Sequence, residues 1–331
     1  MIPKKNEVKE FIDHHNKFLV IQADNPDGDS LATSLALEQM LSDLDKKVTM
    51  YCGVEVPGYL KFLKGWERVQ KDIPNEFDAS IIVDTSSIKL LEKLTGNPEF
   101  MWVSSKPVLV LDHHQEVECD IPFATIVSNA SNFASTGEVV FELAKQFNWS
   151  LNHEAMELIT QSILSDSLGL TSDIAKANTY RRVADMIDAG VSRSKLENSR
   201  RELSKMDVDV FRYKAELIKR TEFFFDNKIA LAIIPESELF DVGTLYNPGP
   251  LIMSELLNVK DVKLAVALKV YSNRLTGALR CSSGTEIANE IAKGYGGGGH
   301  PYAAGFRIEN FNQDITEFKY ELVKKAIELL K

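Results

Sequence analysis

Three short stretches of this chain, 18–22, 79–83 and 108–111, are almost continuously apolar, and each runs straight into a cluster of acidic or histidine residues. Strands that are apolar at every position are buried on both faces, as in a parallel sheet covered by helices. Residues 47–51 read as another strand, and helical patterns follow at 30–44, 136–147, 152–165 and 176–189. Strands joined by helical crossovers define an α/β fold: a mainly parallel sheet flanked by helices. This first domain is expected over 1–190.

Residues 191–222 are charged and helical, with Arg193, Lys195, Arg200, Arg201, Lys205, Lys214, Lys219 and Arg220. They read as a helical linker, either a solvated face or a hinge whose basic groups also meet an anionic ligand. A smaller α/β domain is expected over 223–331. Its strands fall at 229–234, 263–271, 274–281 and 303–308, and its helices at 250–257, 285–293 and 314–330. Tyr271-Ser272-Asn273-Arg274 has the look of a hairpin turn. A length of 331 residues suits two domains.

The net charge of −10 argues against tight binding of long nucleic acid, which needs a basic footprint. It leaves room for a small phosphorylated ligand and for carboxylates that hold hard cations. No apolar stretch approaches the roughly 18 residues needed to cross a bilayer. The polar start shows no secretory signal. Cys52, Cys119 and Cys281 are few and scattered, which fits a reducing cytoplasm.

In open α/β sheets, ligands bind beyond the carboxyl ends of the strands, so clusters there can converge. The first is Asn25-Pro26-Asp27-Gly28-Asp29-Ser30. Asp27 and Asp29 can point at a cation, or simply make a turn. The second is Asp84-Thr85-Ser86, where Asp84 serves equally as a ligand or a helix cap. The third, Asp112-His113-His114, lacks a packing rationale, and its donor types suit Mn²⁺, Fe²⁺, Co²⁺ or Zn²⁺. The fourth is Asp166, a carboxylate where an apolar helix face should continue. By contrast, Asp13-His14-His15 lies in a charged amphipathic helix and reads as surface.

In the second domain, Tyr295-Gly296-Gly297-Gly298-Gly299-His300 follows a helical segment. Consecutive glycines allow close backbone approach and can expose N–H groups to an anion, and His300 adds a donor. Upstream, Arg280 offers a planar fork suited to phosphate. Ser282, Ser283 and Thr285 either contact the ligand or cap the next helix; capping is the favoured reading.

Taken together, Asp27, Asp29, Asp84, Asp112, His113, His114 and Asp166 resemble the catalytic set of the DHH phosphoesterases. The segment 294–305 and Arg280 resemble the phosphate-binding parts of the family's associated C-terminal domain. The resemblance covers nearly the whole chain. It implies two divalent cations, typically Mn²⁺. Asp84 would bridge them, with Asp29, His113 and Asp166 on one and Asp27 on the other. His114 would face the phosphate, and Asp112 would fix a histidine tautomer. Phe133-Ala134-Ser135-Thr136-Gly137-Glu138 resembles a segment opening a helix near the metals. Arg280, Ser283, Gly297, Gly298, Gly299 and His300 would bind substrate. The chain departs from the family pattern at Ala23, where a metal-ligand histidine is usual; Asp24 or Asn25 could stand in after a local shift. Cys281 also replaces a usual serine.

The two-domain layout resembles the branch acting on short oligonucleotides and 3′-phosphoadenosine 5′-phosphate. The expected activity is therefore hydrolysis of a short nucleotide by a metal-activated water, with two fixed phosphate sites measuring substrate length. The alternatives are a non-catalytic nucleotide-binding relative, a cyclic-dinucleotide phosphodiesterase, and a pyrophosphatase or polyphosphatase. A homodimer is implied by the resemblance alone, and neither a long duplex nor a membrane is an expected partner.

Overall fold

A computed structural model describes residues 2–114, 118–203, 205–241 and 248–331. The chain forms two compact units, Met1–Lys205 and Met206–Lys331. Among the described residues, no helix is long and apolar enough to cross a membrane.

The first unit is built on β1 (Lys17–Ile21), β2 (Lys47–Tyr51), β3 (Ala79–Val83), β4 (Val108–Asp112) and β5 (Ile126–Asn129), in the order β2-β1-β3-β4-β5. Every pairing is parallel. β3 and β4 are buried at every position, as their unbroken apolar sequences require. The helices are α1 (Lys5–His14), α2 (Gly28–Asp43), the short α3 (Glu92–Thr95) and α4 (Phe100–Ser104), α5 (Thr136–Phe147), α6 (His153–Asp166), α7 (Ala177–Asp188) and α8 (Arg193–Leu203). From β1 the chain moves outward to β2, then returns to β3 on the other side. The strand order therefore reverses between β1 and β3, the place where such sheets bind ligands.

Helix α2 is buried along most of its length and packs against α6 and α5. Small residues permit this close crossing. A Cβ on Gly28 would lie 2.2 Å from Ser165 Oγ, and one on Gly137 would lie 2.2 Å from Ser162 Oγ. The first turn of α2 is thereby pressed against the C-terminal half of α6, which carries Asp166. A continuous apolar core that includes Leu31, Leu35, Leu109, Val139 and Ile159 lies beneath these helices.

The second unit begins with α9 (Val208–Lys219), followed by β6 (Glu222–Phe224), β7 (Ile229–Pro235), α10 (Glu236–Asp241), α11 (Pro248–Leu257), β8 (Leu264–Val270), β9 (Arg274–Cys281), α12 (Ala288–Lys293), β10 (Gly298–His300), β11 (Ala303–Glu309) and α13 (Ile315–Leu329). The sheet order is β10-β11-β9-β8-β7-β6, with β7 and β8 parallel and the other pairs antiparallel. The expected hairpin turn at 271–274 joins β8 to β9. The expected linker is two helices: α8 belongs to the first unit and α9 to the second.

Candidate metal centre and phosphate-binding strands

The site is built at the carboxyl ends of β1, β3 and β4. Asp27 is the N-cap of α2: its Oδ1 accepts the Ser30 N–H at 2.9 Å, and Ser30 Oγ accepts the Asp27 N–H in return. Both readings of this carboxylate thus meet in one residue, because the cap leaves Oδ2 available. Asp29, in the first turn, is fully buried. Its oxygens accept from Thr33 Oγ1 (2.8 Å), Ser162 Oγ (2.6 Å), Thr136 N (2.7 Å) and Gly137 N (3.3 Å). Four donors lock its orientation and offset the cost of burying a charge.

Asp84 ends β3 with φ 60°, in the left-handed region. This conformation costs a non-glycine residue energy and is concentrated at functional sites. Thr136 Oγ1 donates to its Oδ1 at 3.1 Å. Burial first, then the neighbouring Asp29, Asp27 and Asp166 carboxylates, push its pKa well above the usual range. Burial and Asp29 also raise Asp166, against the pull of His113.

His113 completes the cluster. Its Nδ1 faces the Phe133 carbonyl at 3.3 Å, which favours a proton there and leaves Nε2 turned inward. That Nε2 lies 3.0 Å from Asp166 Oδ2 and 3.5 Å from both Asp29 Oδ2 and Asp84 Oδ1. It is buried and not aligned for a hydrogen bond to any of them. Burial opposes its protonation, but the Asp166 and Asp29 carboxylates prevail and raise its pKa to about 9. Two overlapping triads, Asp29–His113–Asp166 and Asp84–His113–His114, each bring one donor atom apiece within 4.8 Å of one another. A buried imidazole nitrogen without a partner, ringed by carboxylate oxygens, fits a divalent cation.

Asp112 is spent on orientation. Its Oδ1 meets His114 Nδ1 at 2.7 Å and accepts the His113 N–H at 2.8 Å, while Oδ2 accepts Ser86 Oγ at 2.5 Å. Burial pushes this carboxyl up, but the His114 and Ser86 hydrogen bonds outweigh it and hold it below the usual range. The same bond raises the His114 pKa. His114 is half exposed and borders a cavity of about 420 Å³ with His113, Asp166, Asp173 and Lys176.

Ala23 is buried at the end of β1. Asp24 does not replace the missing histidine: its Oδ2 accepts the Lys93 N–H at 2.8 Å, outside both triads. His14 and His15, in the second Asp-His-His run, bond back to the carbonyls of Glu10 and Phe11, as a surface segment would.

The sequence reading missed the supporting layer of hydroxyls. Thr33 one turn beyond Asp29, and Ser162 one turn before Asp166, were detectable as small polar residues on otherwise apolar faces. It also missed the pair beneath the 133–136 segment. Glu138, fully buried, accepts the Ala134 N–H at 2.6 Å and pairs with Arg182 at 2.9 Å. Arg182 also lies over the Phe133 ring.

In the second unit, the expected open glycine loop is a hairpin. Gly298 and Gly299 form the edge strand β10, and Gly297 N and Gly296 N already donate to Ala292 O and Lys293 O. Close backbone contact explains two of the glycines: a Cβ at Gly297 would lie 2.2 Å from Gly305 O, and one at Gly299 2.6 Å from Ala303 O. Arg280 and His300 both pair with Ala303, from opposite sides. Residues in one cross-strand row share a face, so the two side chains flank the small Ala303 at roughly 10 Å, two strand spacings. Both are exposed, and the His300 ring stacks on Tyr302. Ser283 is exposed beyond β9. The capping reading of Ser282, Ser283 and Thr285 fails, because α12 starts only at Ala288, with Ile287 as an N-cap that makes no side-chain bond.

Carboxylates and histidines gathered at the switch point of a parallel sheet are the donor set of a metal-dependent phosphoesterase. The family follows from comparison. Residues 17–165 match the DHH family, N-terminal domain, and residues 250–331 match the DHHA1 domain; the chain belongs to the DHH family. It is 26% identical to the uncharacterized protein MG371 of Mycoplasma genitalium, over 93% of this chain and 90% of that protein. It is 22% identical to the bifunctional oligoribonuclease and PAP phosphatase NrnA of Bacillus subtilis, over 93% and 95%. Among solved structures, an exopolyphosphatase-related protein from Bacteroides fragilis superposes with a TM-score of 0.81 at 20% identity, covering 100% of this chain and 99% of the other.

Proposed function

We propose that this protein hydrolyses a phosphodiester or phosphomonoester of a short nucleotide, such as a dinucleotide or 3′-phosphoadenosine 5′-phosphate, at a two-cation centre of the manganese type. One observation carries this reading: the Asp29, Asp84 and Asp166 carboxylates converge on the buried His113 Nε2, which makes no aligned hydrogen bond. The likeness to NrnA over 93% of this chain and 95% of that protein supports the nucleotide class.

Asp29, His113 and Asp166 would hold one cation, Asp27 the other, and Asp84 would serve both. When bound, such cations orient and acidify the attacking water and draw charge from the phosphate oxygens. The chain's own groups do the rest. Asp112 takes the His114 Nδ1 proton into a hydrogen bond, which aims Nε2 at the cavity. There His114 donates to a phosphate oxygen as charge builds on it. Its raised pKa keeps that donor available. Thr136, Ser162 and Thr33 fix Asp29 and Asp84 in place before substrate arrives. In the second unit, Arg280 and His300 would form an anion-binding pair, with Ala303 leaving room between them and Ser283 and the Gly297–Gly299 backbone at the margin.

A second reading is a nucleotide-binding relative without turnover, and Ala23 favours it, since Asp24 turns to the Lys93 N–H instead of replacing the missing ligand. A substrate panel decides. Metal-free protein is given Mn²⁺, Mg²⁺, Co²⁺ or Zn²⁺ with diadenylate, 3′-phosphoadenosine 5′-phosphate, pyrophosphate or a long single strand. Metal-dependent release of AMP or phosphate from the first two is expected. Binding without turnover under every pairing supports the second reading, and preference for pyrophosphate overturns the nucleotide assignment.

A further inference from the structure

A second, larger cavity opens beside the metal centre, wholly within the first unit. It measures about 920 Å³ and begins at Asp27 and Gly28, on the loop that supplies the first carboxylates. Ser165 lines it, while the next residue, Asp166, lines the smaller cavity that holds His114. The carboxylate cluster therefore stands between two cavities, as a phosphodiester's scissile phosphorus stands between its two ester arms.

The walls divide by chemistry. One side is apolar and aromatic: Tyr59, Phe62, Leu164 and Leu168. Tyr59 and Leu168 are 65% and 72% exposed, unusual for side chains of this kind unless something covers them. The Tyr59 hydroxyl donates to Pro26 O at 3.3 Å, which ties the ring to the loop bearing Asp27.

The basic part of the lining comes from α8, with Arg193, Arg200 and Arg201. Arg193 is anchored on Gly169 O at 3.0 Å. Arg200 and Arg201 both grip Glu197, at 2.8 and 2.7 Å. Two guanidiniums share one carboxylate, and three arginines line the cavity along with Glu197 and Asp27, in a chain whose net charge is −10. The basic run over 191–205 thus has a destination that its sequence alone left open.

We propose that this cavity is a nucleoside-monophosphate subsite of the active site. The base lies against Tyr59 and Leu168, the terminal phosphate meets Arg193 and the Arg200–Arg201 pair, and the ester to be cleaved points toward Asp27. A volume within the few-hundred-to-thousand Å³ range of ligand pockets suits one nucleotide, and stacking plus guanidinium–phosphate contact is how single nucleotides are commonly held. The placement of the cleaved ester rests on the proposed hydrolysis; the nucleotide subsite itself does not.

The test fills the cavity from its solvent side. Ser194 borders it on α8 and carries none of the proposed contacts, so Ser194→Trp blocks the space without removing a charge. Calorimetry with AMP on metal-free protein reads the subsite without turnover. Wild type is expected to bind, and Ser194→Trp to bind about tenfold more weakly, with Arg201→Ala as a second, non-steric variant. With Mn²⁺, Ser194→Trp should raise KM for diadenylate by a similar factor, and hydrolysis of bis(p-nitrophenyl) phosphate, which needs only the metal centre, should stay within about twofold. Equal AMP binding by wild type and both variants overturns the subsite. Equal loss on both substrates overturns it too, because the variant then acts through the metal loop. If wild type hydrolyses neither diester, the proposed hydrolysis fails, while AMP binding still decides the cavity.

Discussion

Replacing Asp84 by Asn should make the metal-free protein more stable and the metal-loaded protein less so. Asp84 is buried among Asp27, Asp29 and Asp166, and its pKa is raised well above normal by that burial and repulsion. A carboxyl raised in the folded state stabilises the fold only while protonated. Its contribution is full below the unfolded pKa, near 4, and is lost as pH rises through the folded value. Near neutral pH it therefore opposes folding. Like charges about 5 Å apart at an effective dielectric of 20 repel by roughly 3 kcal/mol, and partial protonation of Asp84 reduces what is recoverable. Asn keeps the shape and tolerates the left-handed backbone at φ 60°. The expected gain is about 1–3 kcal/mol, or some 2–10 °C in the melting of the first unit. The assay is thermal unfolding with EDTA and then with excess MnCl₂. At a hundredfold excess over Kd, a bound cation stabilises wild type by about 2.7 kcal/mol. The Asn variant should gain little from Mn²⁺ and show no turnover. A lower Tm for Asp84→Asn in EDTA, or an undiminished Mn²⁺ response, would refute the crowded-carboxylate account.

Four further outcomes follow from the geometry. Arg280→Ala should raise KM for a diadenylate by about 10–100-fold with kcat little changed, measured by steady-state kinetics, because it removes charge-assisted contacts made before and during reaction alike. Gly28→Ala places a Cβ 2.2 Å from Ser165 Oγ and should cost about 1–3 kcal/mol by denaturant unfolding, with weaker metal binding as the loop shifts. Arg182→Met leaves Glu138 buried without its cation and should cost about 3–5 kcal/mol; adding Glu138→Gln should recover much of it. Mn²⁺ affinity should rise about tenfold per pH unit up to about pH 9, since the His113 proton must leave before Nε2 can bind, and calorimetry in buffers of different ionisation enthalpy should show that release.

Much of the fold was legible because buried parallel strands advertise themselves: 47–51 and 79–83 coincide with β2 and β3 to the residue. The fifth strand, Ile126–Asn129, was not, because an edge strand of three half-buried residues and one buried serine carries no continuous apolar signal. Strand β10 was read as loop because glycines hide a strand's periodicity, and only pairing with β11 reveals it. At the site, strand-end positions allowed the clusters to converge, while the grouping of Asp29, His113 and Asp166 that the structure brings together was implied by the family resemblance. Neither foretold that Asp24 would turn to Lys93, nor the Glu138–Arg182 pair. Those depend on how loops and helices far apart in sequence pack together. The basic run after 190 was ambiguous for the same reason: whether a helix face is solvated or borders a cavity depends on what packs near it, and here Tyr59 and Leu168 line the same cavity.

The central claim is that this carboxylate–histidine cluster is a working metal centre for short nucleotides. Its most direct test is AMP release from diadenylate by metal-free protein, followed before and after addition of Mn²⁺, with Asp84→Ala in parallel. A metal centre of this kind gives no release before Mn²⁺, sustained turnover after it, and none from the variant although it remains folded. Turnover without metal, or an Asp84→Ala protein as active as wild type, would contradict it.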